Sequence, residues 1–137
     1  MTFAGMNYLA IVVAAIMGFA FGGLYYNLMS KHWLTAIGLT KAKINKNSST
    51  APFIIAFVAN LVMAWVLAGV VGHLGPGQVT VRNGIISGAF IWVGFIATTI
   101  AVNNAFGLRK PMLTVIDTGH WLGVLLVMGA IIGAFGV

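Results

Sequence analysis

The stretch Ala51–Gly72, APFIIAFVANLVMAWVLAGVVG, runs from end to end without a charged residue. An α-helix needs about 20 apolar residues to cross roughly 30 Å of hydrocarbon, so this segment is long enough to span a bilayer. Pro52 falls in its first turn, where a missing backbone N–H costs nothing. Three other stretches read the same way: about Phe3 to Tyr26, about Asn83 to Phe106 and about Pro111 to Phe135. The expected fold class is therefore all-α: an integral membrane bundle of four transmembrane helices forming a single membrane domain over residues 1–137. The first stretch lacks a basic leader and is too long for a signal core, so it reads as a retained helix.

Composition agrees. Hydrophobic residues make up 61% of the 137 and charged residues 6%, against about 25% charged in soluble domains. Such a chain cannot cover a water-facing surface. Seven Lys and Arg face one acid, Asp117. The basic residues gather in short loops beside apolar runs, the positive-inside pattern of membrane proteins, and no nucleic-acid partner is expected. There is no cysteine, which excludes thiol redox chemistry, thiolate metal sites and disulfides.

The connections follow. Gly75-Pro76-Gly77 is a turn, and Gly107 ends the third helix. The long first loop, Asn27 to Thr50, divides in two. Lys31 to Leu39 mixes apolar and basic residues at helical spacing and predicts a short interfacial helix that dips Trp33, Ile37 and Leu34 into the membrane surface. Lys41 to Thr50 reads as a solvated tether. Lys31, Lys41, Lys43, Lys46, Arg109 and Lys110 lie on one side of the membrane and Arg82 on the other. This predicts that the first and third loops are cytoplasmic and that both termini are outside. No internal repeat is visible, so an inverted-repeat transporter is not supported.

Asp117 is the most informative residue. It stands about six residues into the fourth helix, roughly 9 Å deep, where a carboxyl group facing lipid is costly. It should face the bundle interior, with His120 one turn further on the same face. Asn60 on the second helix and Thr98, Thr99, Asn103 and Asn104 on the third supply polar company from the same side of the membrane. Asp117 is expected to contact His120, Asn60 or the Thr98–Asn104 stretch. Together these residues form either a buried polar network that locks helices or a proton or cation site open to the cytoplasm. Tyr25, Tyr26 and Asn27 close the first helix at that level. No metal and no cofactor are expected: a zinc site needs at least three protein ligands, and His32 and His73 lie elsewhere.

Small residues recur every four positions: Ala14, Gly18 and Gly22; Gly84 and Gly88; Gly119 and Gly123; Gly129 and Gly133. Such stripes let helix backbones approach closely, within one bundle or between copies. Trp33, Tyr25, Tyr26, Phe53 and Phe106 read as interface anchors. The deeper Trp65, Trp92 and Trp121, and Leu67, read as lipid-facing. No span carries an evident break.

Met6-Asn7-Tyr8-Leu9-Ala10-Ile11, Trp33-Leu34-Thr35-Ala36-Ile37-Gly38-Leu39-Thr40, Asn103-Asn104-Ala105-Phe106-Gly107-Leu108-Arg109 and Ile116-Asp117-Thr118-Gly119-His120-Trp121 resemble a family of small bacterial four-helix membrane proteins known only as a domain of unknown function. The resemblance implies a bacterial inner-membrane location and no particular activity. From the residues, the expected function is self-association or service as a subunit of a larger membrane complex, with membrane lipids as further partners. The alternative is a small proton-coupled transporter or channel using Asp117. With one acid, three scattered His and no Cys, an enzyme is not expected.

Overall fold

The computed structural model describes residues 6–46 and 48–136, and every regular element among them is helical. The order is α1 (Tyr8–Leu28), α2 (Ser30–Ile37), α3 (Lys41–Lys46), α4 (Ala51–Gly72), α5 (Val81–Ile91), a π-helical turn (Trp92–Ile96), α6 (Ala97–Phe106) and α7 (Pro111–Phe135). Four helices, with α5, the π turn and α6 counted as one, are long and apolar enough to cross a membrane.

Local chemistry sets the boundaries. The first helix begins at Tyr8 because the Asn7 side chain accepts the Ala10 N–H at 3.2 Å, an N-cap bond that starts the helix after Phe3; residues 1–5 lie outside the described residues. The third span starts at Val81, two residues before the sequence-based boundary, because Thr80 Oγ1 accepts from the Asn83 N–H at 3.1 Å. Between α4 and α5, Gly75 and Gly77 take φ values of 116° and 75°, open to glycine and costly for other residues. The short helix expected in the first loop is α2; Trp33 and Ile37, expected to dip into the membrane surface, pack against the Ala36, Leu113 and Ile116 cluster of the protein. The tether after α2 is not extended throughout, since Lys41–Lys46 coils into α3.

The third span holds a feature the sequence reading missed. At Trp92–Ile96 the ladder widens, and the Ala97 N–H reaches back to the Trp92 carbonyl. Such a turn frees carbonyls from their usual partners, and hydrocarbon offers no replacement. Thr98 Oγ1 donates to the Gly94 carbonyl at 2.9 Å, and Thr99 Oγ1 donates to that of Phe95.

The helices pack as a chain of pairs, α4 on α1, α1 on α7 and α7 on α5. The core joins Ala14, Ala15, Ala64, Leu67, Val71, Val124 and Met128. Leu67 is 1% exposed, so it faces this core and not lipid. The glycine pairs of α7 serve two different neighbours. A methyl group on Gly129 would strike the backbone of Gly84, and one on Gly133 would strike that of Thr80. Gly123 receives the Phe21 ring of α1 and Gly119 the Tyr25 hydroxyl. On α1, a methyl group on Gly18 would come within 2.8 Å of Asn60 Oδ1.

One backbone position is strained. Leu108, in the turn between α6 and α7, has φ 56°, a conformation that costs an L residue about 1–2 kcal/mol. Its side chain is 92% exposed.

The packing ranks substitutions. Gly84→Leu or Gly129→Leu should prevent the α5–α7 contact and abolish cooperative thermal unfolding in detergent. Leu67→Ala should cost about 2–4 kcal/mol through the cavity it leaves. Gly94→Leu, where a side chain meets open space, should leave the melting temperature nearly unchanged. Comparing the melts of these variants checks the order.

Candidate functional site

The ends of α1 and α7 that meet beside α2 bring together the chain's acid, two tyrosines and a histidine. Asp117 Oδ1 accepts a hydrogen bond from the Tyr26 hydroxyl at 2.6 Å. Tyr25 donates to the Ile116 carbonyl at 2.7 Å. Both tyrosines lie on the last turn of α1 and reach α7, Tyr25 through the room that Gly119 leaves for its hydroxyl and Tyr26 through its bond to Asp117. The α2 helix lies over this junction, where Ala36, Leu113 and Ile116 form a small core with Trp33 and Ile37 packed around it. Trp33 meets the Tyr26 ring edge-on, with centroids 6.2 Å apart.

His120 sits one turn deeper, buried in an aromatic cage. Its ring centroid lies 4.8 Å from that of Tyr26 and 4.5 Å from that of Trp121, with Phe21 and Tyr25 beyond. A methyl group on Gly22 would come within 2.8 Å of His120 Nε2, so this glycine admits the imidazole. His120 Nδ1 is buried and has no hydrogen-bond partner among the described residues. A buried polar atom in this condition costs about 1–3 kcal/mol and marks either strain or an exchangeable partner.

The predicted partners of Asp117 divide. Asp117 and His120 share one cluster, but the hydrogen bond to the carboxylate comes from Tyr26, not from His120, Asn60 or the Thr98–Asn104 stretch. Asn60 is buried elsewhere: its amide donates to the Ala56 carbonyl of its own helix at 2.8 Å, and Oδ1 points toward Gly18 without a hydrogen-bond partner. Thr98 and Thr99 bond their own helix, and Asn103 is exposed. Asn104 alone of that stretch reaches the fourth span, donating to Thr114 Oγ1 at 3.1 Å. Among the described residues, no three His, Asp or Glu side chains are grouped to hold a metal ion.

Three contacts around the site are not evident in the sequence. Tyr26 reads as an interface anchor by position, yet it stands at the same depth as Asp117, and that shared level was the available signal. Trp92 and Trp121 read as lipid-facing, but Trp92 Nε1 donates to the Thr118 carbonyl at 2.7 Å and Trp121 borders His120. Trp65 remains exposed. Phe53 and Phe106 are exposed at helix ends, where anchors stand.

Four helices long and apolar enough to cross a membrane make this a multi-pass membrane protein, and two of them, α1 and α7, gather half-buried Asp117, Tyr25 and Tyr26 around the buried His120 near one end. The chain belongs to the family described as "Protein of unknown function (DUF1761)", whose profile matches residues 9–133. No curated protein and no solved structure matches it.

The Tyr26–Asp117 bond should be worth about 0.6–1.7 kcal/mol, the range of side-chain hydrogen bonds between membrane helices. A double-mutant cycle of Tyr26→Phe and Asp117→Ala, read by unfolding in mixed detergent, is expected to return a coupling in that range. Strict additivity would show that the two groups do not hold α1 to α7.

Proposed function

We propose that this protein is a non-enzymatic, multi-pass protein of the bacterial inner membrane that acts by associating with itself or with a larger membrane complex. The observation that carries this reading is the third span. In its most apolar 18-residue stretch 6% of residues are buried, against 33–39% in the other three. Beyond the face packed on α7, this span offers its surface to lipid or to another protein. The glycine stripes no longer support association, because each faces a neighbour within the chain. The outward surface of α6 supports it instead: Ala101 and Ala105 are small and exposed beside Thr98, the kind of face that lets helices approach. The absence of Cys and Glu argues against a catalytic constellation.

Native mass spectrometry from mild detergent is expected to give an oligomer or a stable partner complex. Ala101→Leu should shift it toward the monomer without lowering the melting temperature. A wild-type protein that stays monomeric and captures no membrane partner would end this reading.

A second reading uses Asp117 as the proton site of a small transporter or channel. It rests on the Tyr26–Asp117 bond beside His120 Nδ1, three proton-exchanging groups in one cluster. Asp117→Asn is then expected to abolish proton-coupled flux in proteoliposomes, and unchanged flux would rule it out.

In either case the six clustered basic residues support a cytoplasmic position for the first and third loops and outside termini. A periplasm-only reporter fused to the C-terminus is expected to be active.

A further inference from the structure

The end of the molecule that carries six of the seven basic residues also holds a cavity of about 230 Å³, between the last turn of α2 and the turn that joins α6 to α7. Ala36, Ile37 and Gly38 form one wall; Leu108, Arg109 and Lys110 line the other. Lys110 Nζ donates to the Thr35 carbonyl at 3.3 Å, tying the two walls together. The cavity therefore combines two cations with an apolar wall, at the level where the third and fourth spans end.

These cations have no counter-charge in the chain. The single acidic side chain of the sequence is Asp117, and it lies inside the fourth span as the acceptor of the Tyr26 hydroxyl. Any anion that pairs with Arg109 and Lys110 therefore comes from outside the protein. The guanidinium suits phosphate oxygens, which it can bind through two parallel N–H donors. Leu108 adds a second indication. It is an apolar residue, 92% exposed, held in the left-handed region where glycine would be unstrained, and it stands beside the cations with the exposed Phe106 two residues before it.

We propose that this cavity binds the phosphate of an anionic membrane phospholipid, with an acyl chain lying along Leu108 and Phe106. Phosphate is the recognised chemistry, and the apolar wall and the position at the span ends select a lipid over the free ion. The site borders the Asp117 cluster through Ala36 and Ile37 and the α6 surface through Phe106, but neither Arg109 nor Lys110 belongs to either.

The test uses the full chain in mild detergent, titrated with phosphatidylglycerol, phosphatidylcholine or inorganic phosphate and read by native mass spectrometry. Phosphatidylglycerol is expected to remain bound under conditions that strip phosphatidylcholine. Arg109→Gln should weaken phosphatidylglycerol binding about fivefold, and Arg109→Gln with Lys110→Gln by about fivefold more, the scale of one juxtamembrane basic side chain each. Removing three cations outside the cavity, with Lys41→Gln, Lys43→Gln and Lys46→Gln, should change it less than about twofold, and Arg82→Gln should not change it. Leu108→Gly should weaken lipid binding while leaving the fold intact. Equal retention of the two lipids, or an equal loss in the lysine triple variant, would overturn the site in favour of diffuse surface attraction. Displacement of the lipid by millimolar inorganic phosphate would overturn the assignment to a lipid. Single Arg109→Gln preserves the Lys110 tie to α2, so it stands as the deciding variant if the double one fails to fold.

Discussion

The close approach of α7 to its neighbours is the constraint on which the bundle depends. Lipid tails are as apolar as leucine, so helices in a bilayer gain little from burying apolar surface against each other and rely on dispersion contacts and polar bonds. Dispersion falls off steeply with distance, and α7 meets this by omitting side chains along two lines. Gly129 and Gly133 bring it against the backbone of α5 and Thr80. Gly119 and Gly123 take the aromatic ends of α1. A helix able to pack tightly on two sides becomes the centre of the bundle, and Asp117 and His120 are placed between helices because they ride on it.

The two ends of the bundle are built differently. Toward the Gly75–Gly77 turn, α5 and α7 touch through backbone, and the core there is Ala, Val, Leu and Met. Toward the basic loops, aromatic and polar side chains fill wider spaces: Tyr25, Tyr26, Phe21, His120 and Trp121 around one site, and Trp92 and Asn104 reaching from the third span to α7. The π turn at Trp92–Ile96 lies between these regimes. Its extra residue rotates α6 relative to α5, so the span that packs glycine to backbone at one end presents Ala97, Ile100 and Asn104 inward at the other. Polar groups at this end thus add hydrogen bonds where close backbone contact has ceased.

Much of the fold was legible in the residues, and the site was legible in part. The spans follow from apolar length, the turns from Gly75, Pro76 and Gly77, and the short helix α2 from the mixed character of Lys31 to Leu39. Helix ends were less legible. Thr80 and Asn7 are ordinary capping residues, yet an apolar run blurs where the helix begins. The same blur hid the environment of Leu67, Trp92 and Trp121. A soluble helix announces its buried face by an apolar stripe; here the residues around Leu67, Trp92 and Trp121 are mostly apolar on every side, and interior and lipid faces draw on the same residue types.

By itself the sequence determined that the chain is a helical bundle with four spans apolar and long enough for a membrane, and it singled out Asp117 as the one acid within them, because charge and length are properties of residues taken one segment at a time. Only the tertiary structure decided that Asp117 accepts the Tyr26 hydroxyl, that Asn60, Thr98 and Thr99 bond their own helices instead, and that each glycine pair has its own neighbour. Those outcomes depend on the rotation of each helix about its axis, which is set by contacts between segments distant in sequence and leaves no mark in the hydropathy of any one of them.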